Sequence, residues 1–264
     1  MTVTPTWGRY SELRPDELEW LIADRPVAYL PWGALEWHGA HLPVGLDGFT
    51  AEALAERVAA RAGGLLLPTT WWPITALPHR FSISIPTDVV VALWDSILSE
   101  LARIGLRVVV LLSGHYAQGH ELAMMDAADR AYERHGLLVL AVPPLALVDE
   151  QMLDHAGHWE TALLMALRPR LVRLDRLPPP PLLPSRDAVL GDDPRGATAG
   201  QGESALALAT EQLAQVTESL LRTGSPAGLR ALYAERRASY RAYVERYYRE
   251  SWEQAIADWW SEQP

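Results

Sequence analysis

The feature that most constrains this chain is an alternation. Short apolar runs at residues 27–31, 65–67, 107–112 (apolar after its leading Arg107) and 137–142 are separated by segments whose apolar residues recur at helical spacing. Continuously apolar runs of that length suit strands covered on both faces, and strands linked through helices run parallel because each crossover returns the chain to the same end of the sheet. The periodicity predicts helices over 15–23, 50–62, 87–104, 118–134, 158–167 and 203–222, and over most of 227–260. Pro15 suits a first helical turn, Gly63-Gly64 a helix stop, and Thr87 an N-cap. The fold class is therefore α/β, a mainly parallel sheet with helices on both faces, and binding groups are expected beyond the carboxyl ends of its strands. Two stretches stand outside the alternation: a Gly-containing loop over 33–48 and a long irregular connection over 174–201 that includes four successive prolines at 178–181.

What the chain lacks narrows its chemistry. Among 264 residues there is no Cys, no Lys and no Asn. Disulfides, thiolate nucleophiles, Schiff bases and P-loop lysines are excluded, and any metal must be held by His and carboxylates. With 23 Arg against 33 Asp plus Glu, the net charge of −10 argues against a general binder of nucleic acid or of anionic membranes. Residues 1–14 lack the basic, apolar and small-residue order of a signal peptide, and no segment approaches about 18 uninterrupted apolar residues, so a cytoplasmic protein is expected. At this length roughly three quarters of the unfolded surface is buried, enough for one large α/β domain or two small ones.

Three segments concentrate the titratable side chains. In Gly33-Ala34-Leu35-Glu36-Trp37-His38-Gly39-Ala40-His41-Leu42-Pro43, extended backbone would put Glu36 and His38 on one side and Trp37 on the other. Asp47 follows, and its two carboxylate oxygens could bridge ions about 3.5–4 Å apart. Glu-x-His alone also suits a surface or structural pair. The second segment, Ser113-Gly114-His115-Tyr116-Ala117-Gln118, leaves the sheet at the end of the clearest strand; His115 there suits either a metal ligand or a backbone partner at a helix start. The third, Asp154-His155-Ala156-Gly157-His158-Trp159-Glu160-Thr161, offers Glu160 as a further carboxylate ligand and His155 or His158 as a proton donor. His120 and His135 read as ordinary helix residues.

Together these segments resemble the creatininase (creatinine amidohydrolase) family. Gly33, Glu36, His38, Gly39, His41, Leu42, Pro43 and Asp47 match one family block. Gly114 and His115 match a second; His155, Gly157, Glu160 and Thr161 match a third, and residues 191–198 resemble a further stretch, over about residues 20 to 215 in all. The resemblance implies a three-layer α/β/α fold, two divalent ions per subunit (Zn, Mn or Fe), hydrolysis of a small, often cyclic amide, and a homo-oligomer, frequently a hexamer. It implies that Glu36, Asp47 and His115 hold one ion, that His38 and the bridging Asp47 hold the other, and that His155 moves the proton. His41 would orient a ligand.

The chain departs from the family pattern at Ala117, where creatininase proper carries a glutamate ligand; Glu160 is the expected substitute. Ser113, Tyr116 and Gln118 also depart from the usual turn, and Trp37 takes the place of a polar residue. A substrate with a planar or apolar face, packed by Trp37, Tyr116 or Trp159 with His79 nearby, fits these changes better than creatinine. The same centre could also open a lactone, cleave a keto-sugar C–C bond or clip a short peptide, and a metal-poor scaffold without catalysis is the non-enzymatic alternative. Residues 1–224 read as the hydrolase domain. Residues 225–264 read as an aromatic-rich helical extension that packs on the body or on a neighbouring subunit.

Overall fold

A computed structural model describes residues 6–264. Five parallel strands form one sheet: β1 (Trp7–Arg9), β2 (Val27–Trp32), β3 (Gly64–Leu66), β4 (Val108–Ser113) and β5 (Leu138–Leu140), in the order β1-β3-β2-β4-β5. The helices are α1 (Pro15–Asp24), α2 (Leu46–Ala62), α3 (Thr87–Arg103), α4 (Gln118–His135), α5 (His158–Leu167), the single turn α6 (Pro184–Asp187), α7 (Ala199–Thr223), α8 (Ala227–Ser239), α9 (Arg241–Tyr247) and α10 (Trp252–Ser261). Every residue of β2 and β4 is buried, as continuous apolar runs in the middle of a parallel sheet require.

The strand order determines where the site can lie. From β2 the chain crosses to β3 on one side, whereas from β4 it crosses to β5 on the other. Right-handed crossovers in opposite directions place α2 on one face and α4 on the other. The packing agrees: α2 contacts α5 and α7, while α3 contacts α4, leaving the sheet as the middle of three layers. Trp32 pairs with Ser113, so β2 and β4 end level and their following loops diverge to opposite faces. The crevice between them is the switch point at which sheets of this kind bind ligands.

Four features depart from expectation. β1 pairs with β3 along one edge, and three residues are too few to show a period. Helix α2 begins at Leu46, so Asp47 lies in its first turn and not in a loop. Pro86 occupies the N-cap of α3, and the Thr87 N–H is instead met at 2.6 Å by Glu253 Oε1 from α10. His120 is fully buried and sits edge-on to His115, with ring centroids 4.9 Å apart.

The C-terminal helices pack on the chain's own body. The Tyr233 hydroxyl accepts from the Ala141 N–H at 3.0 Å and donates to the Val139 carbonyl at 2.5 Å. The Trp252 ring lies so close to Gly119 that a Cβ there would stand 2.9 Å from it. Arg236 forms an ion pair with Glu121, both buried. Among the described residues, no helix is long and apolar enough to cross a membrane.

Candidate metal centre

Three backbone segments meet at the crevice because glycine lets them. A Cβ on Gly114 would stand 2.0 Å from the Asp47 carbonyl oxygen, and one on Gly33 would stand 2.3 Å from the Gly48 backbone. Any side chain at either position would drive the loops after β2 and β4 away from the first turn of α2. Glu36 and His38 follow β2, His115 follows β4, and Asp47 is held between them. Glu160 arrives from the other direction, at the start of α5. Asp154 accepts from the Trp159 and Glu160 N–H groups at 2.7 and 3.1 Å, and Glu160 Oε2 reaches back to accept from the Ala156 N–H at 2.6 Å. Satisfying the free N–H groups of α5 thus turns the Glu160 carboxylate into the crevice.

The six side chains form overlapping sets. Glu36, Asp47 and His115 offer ligand atoms within 4.8 Å of one another; so do His38, Asp47 and Glu160, and Glu36, His38 and His155. Asp47 belongs to the first two sets and faces one with each oxygen. Its Oδ1 is 2.9 Å from His38 Nε2, and its Oδ2 is 3.5 Å from His115 Nδ1. Glu36 Oε2 is 2.8 Å from His115 Nδ1 and 3.9 Å from His155 Nδ1, while Glu160 Oε2 is 3.5 Å from His38 Nε2. Ala117 presents no ligand atom, and Glu160 stands in the set that lacks one.

Each histidine is tied down by its other nitrogen. His38 Nδ1 lies 3.0 Å from the Glu36 carbonyl, His115 Nε2 3.0 Å from the Ile74 carbonyl and His155 Nε2 2.9 Å from the Trp37 carbonyl. A carbonyl oxygen only accepts, so those nitrogens carry protons, and the opposite ones face the centre, where a deprotonated ring would offer its lone pair. Glu36 Oε2, His38 Nε2 and both oxygens of Asp47 are buried with no hydrogen-bond partner. Orphaned acceptors converging at one place are what a cation would satisfy, and the donor set of imidazoles and carboxylates suits Zn or Mn. These residues are of the kind that could hold a divalent metal ion.

The electrostatics agree. Burial opposes charge on His38, but Asp47 and Glu160 outweigh it and lift the ring to about 10. Burial is likewise overcome at His115, which Glu36 and Asp47 lift to about 10. Asp47 is held well below the usual carboxylate range against its burial by His38 and His115, whereas burial pushes Glu160 well up. Without metal, the carboxylates therefore draw protons onto the histidines. Burial, helped by the nearby charge of His38, lowers His155 to about 4 and keeps it neutral.

The remaining sequence candidates are dispersed. His41 is buried and neutral, lowered to about 4 by burial, and its Nε2 lies 3.3 Å from Thr161 Oγ1, outside the three ligand sets. Trp37 stacks on His79, centroids 4.6 Å apart, and meets Trp260 edge-on. Trp159 packs against the core and His158. A cavity of about 400 Å³ opens beside Glu36, His115 and His155; Tyr116 lines it, whereas Trp37, Trp159 and His79 do not.

Sequence reasoning missed the segment over 74–77. The Ile74 carbonyl orients His115, and the Leu77 N–H donates to Glu36 Oε1 at 2.5 Å. No motif marks backbone groups of this kind. Also unforeseen is the capping role of Asp154, which burial raises to about 6.

The family model described as creatinine amidohydrolase matches residues 11–217. A creatinine amidohydrolase of Pseudomonas putida is 30% identical over 234 residues, 78% of this chain and 87% of its own length. A mycofactocin precursor peptide peptidase of Mycobacterium tuberculosis (strain CDC 1551 / Oshkosh) is 32% identical over 210 residues, covering 69% of this chain and 80% of its own. Among solved structures, a creatininase in a manganese form superposes with a TM-score of 0.70 at 27% identity, over 80% of this chain and 97% of that one. A creatininase variant described as Zn-Zn type superposes equally well, at 0.70 and 26% identity over the same 80% and 97%. The α/β fold of this chain is thus the fold of these solved creatininases. The chain belongs to the creatininase family.

Proposed function

We propose that this chain is a metal-dependent hydrolase with a binuclear centre that cleaves the C–N bond of a small amide. The observation that carries the reading is Asp47, whose two unpartnered, buried oxygens face two different histidine-containing sets. Glu36, Asp47 and His115 would hold one divalent ion, and His38, Asp47 and Glu160 the other, Zn or Mn being the metals named for solved relatives. Bound there, two such ions would supply polarisation of the substrate carbonyl and an activated water.

The remaining work falls to the protein. The His155 ring is held by the Trp37 carbonyl, enters neutral, and has Nδ1 free beside Glu36. It would take a proton at Nδ1 and pass it there to the leaving nitrogen. The Leu77 N–H would keep Glu36 ionised and oriented. A second reading, cleavage of a short peptide, is favoured by the 32% identity to a peptide peptidase; it differs in substrate length and not in the centre. The homo-oligomer implied by the resemblance would cover apolar side chains such as Trp72, Phe81 and Ile83, which stand exposed.

Elemental analysis of protein purified without chelator tests the centre. About two ions per wild-type chain are expected, falling in both His115→Ala and Glu160→Ala, with His155→Ala keeping its metal but losing amine release from amides. No bound metal after reloading would overturn the proposal and return the chain to a scaffold role.

A further inference from the structure

The family model ends at residue 217, yet a third of the cavity wall comes from beyond it. Arg236, Ser239 and Tyr240 arrive from α8 and its end, Tyr243 from α9, and Ile256 and Trp259 from α10. The wall is firmly attached. Arg236 donates through Nε and Nη2 to both oxygens of Glu121, in the first turn of α4, and through Nη1 to Glu150. Tyr240 Oη donates to Glu121 Oε2 at 2.6 Å. Glu253 on α10 accepts the first N–H of α3.

The cavity lining is of two kinds. Glu36, His115 and His155 bring titratable groups to it. The C-terminal segment adds aromatic and branched apolar side chains, as do Leu77, Leu153 and Leu190. Three further lining residues carry buried polar atoms with no protein partner: Thr75 Oγ1, Tyr116 Oη and Gln118 Oε1. Thr75 is 1% exposed and holds a φ of +59°, a conformation that a β-branched residue rarely adopts. Its neighbours Ile74 and Leu77 hold His115 and Glu36, so the strain is imposed where the site is built. An amide N–H suits the Gln118 oxygen, and a carbonyl suits a hydroxyl donor.

Charge completes the picture. Arg236 is the one guanidinium among the lining residues, and all three of its nitrogens are taken by carboxylates or Tyr240. No lysine exists in the chain. A free carboxylate on the substrate would find no unpaired side-chain cation on this wall.

We propose that the C-terminal segment, through Tyr240, Tyr243, Ile256 and Trp259, forms the specificity wall of the site, and that the site takes an uncharged amide bearing an aromatic or branched apolar group, hydrogen-bonded by Thr75 and Gln118. This rests on the hydrolase reading for the fate of that amide, but not for its binding.

The test uses the full, zinc-loaded chain and three probes: N-acetylphenylalaninamide, the free acid N-acetylphenylalanine, and acetamide. Dissociation constants are read by calorimetry, or KM where a probe is turned over, and amine release is followed separately. The aromatic amide is expected to bind at least about tenfold more tightly than acetamide, the burial of one aromatic group being worth that much or more, and more tightly than the free acid, whose carboxylate meets no unpaired side-chain cation on the wall. The double substitution Trp259→Ala with Tyr243→Ala should remove most of that preference while leaving acetamide binding within about twofold. Gln118→Leu should weaken both amides about fivefold or more, by loss of one hydrogen bond. If the alanine variant melts early by circular dichroism, Trp259→Leu with Tyr243→Leu replaces it. Equal binding of aromatic amide and acetamide, tightest binding of the free acid, or a preference that survives the wall substitutions would each overturn the proposal. Selective binding without amine release would uphold the wall and instead count against the hydrolase reading.

Discussion

At the residue scale, the centre is a set of charges that need something positive between them. His38 and His115 are lifted to about 10 against their own burial by the carboxylates they face. Such a raised value stabilises the metal-free fold fully below the unfolded histidine value of about 6.5, and that contribution is lost as pH rises towards 10. Chelated protein should therefore melt at progressively lower temperature between about pH 7 and pH 10, while zinc-loaded protein, whose histidines are already deprotonated, should not follow. Calorimetric zinc titration in buffers of different ionisation enthalpy should also show proton release, on the order of two per chain at neutral pH. Gly114 tests the backbone side of the same centre. Gly114→Ala puts a methyl group 2.0 Å from the Asp47 carbonyl. It is expected to cost about 2 kcal/mol or more in urea unfolding and to lower metal content, since His115 and Asp47 are pushed apart.

At the scale of elements, α8 is tied to α4 by a charge pair that neither helix could bury alone. Arg236 and Glu121 are 2% and 0% exposed. Removing one partner leaves the other desolvated and uncompensated, so Arg236→Ala should cost about 3–5 kcal/mol in denaturant unfolding, whereas Arg236→Met combined with Glu121→Leu should cost much less. Much of the element scale is readable from sequence. The runs at 27–31 and 107–112 are β2 and β4 nearly to the residue, because a strand buried on both faces has no reason to interrupt its apolar sequence. The start of α2 is less readable: Leu46-Asp47-Gly48 has no capping side chain before it and carries a glycine, which disfavours helix, and its helical turn follows from the backbone packing of Gly33, Gly48 and Gly114. Thr87 has the chemistry of a cap but sits one residue inside the helix, and Glu253, 166 residues away, serves the N–H it carries.

For the whole molecule, the sheet order decides which loops become neighbours. If the exposed Trp72, Phe81 and Ile83 are covered by a second copy, sedimentation should give a mass that is a multiple of 29.3 kDa, and Phe81→Glu should shift it towards the monomer. A monomer at all concentrations would refute the oligomer. The sequence by itself determined the class of fold, through the period of its apolar residues, and the inventory of ligands, since without Cys or Lys only His and carboxylates remain. It also placed Glu36 beside His38, because neighbours two apart in extended chain share a side. Tertiary structure alone decided that Asp47 turns one oxygen to each histidine, that the Ile74 carbonyl and the Leu77 N–H hold His115 and Glu36, and that an aromatic segment near the chain's end walls the cavity. Those relations join residues tens to hundreds of positions apart, and no local pattern encodes a distance that exists only once β2 and β4 lie side by side.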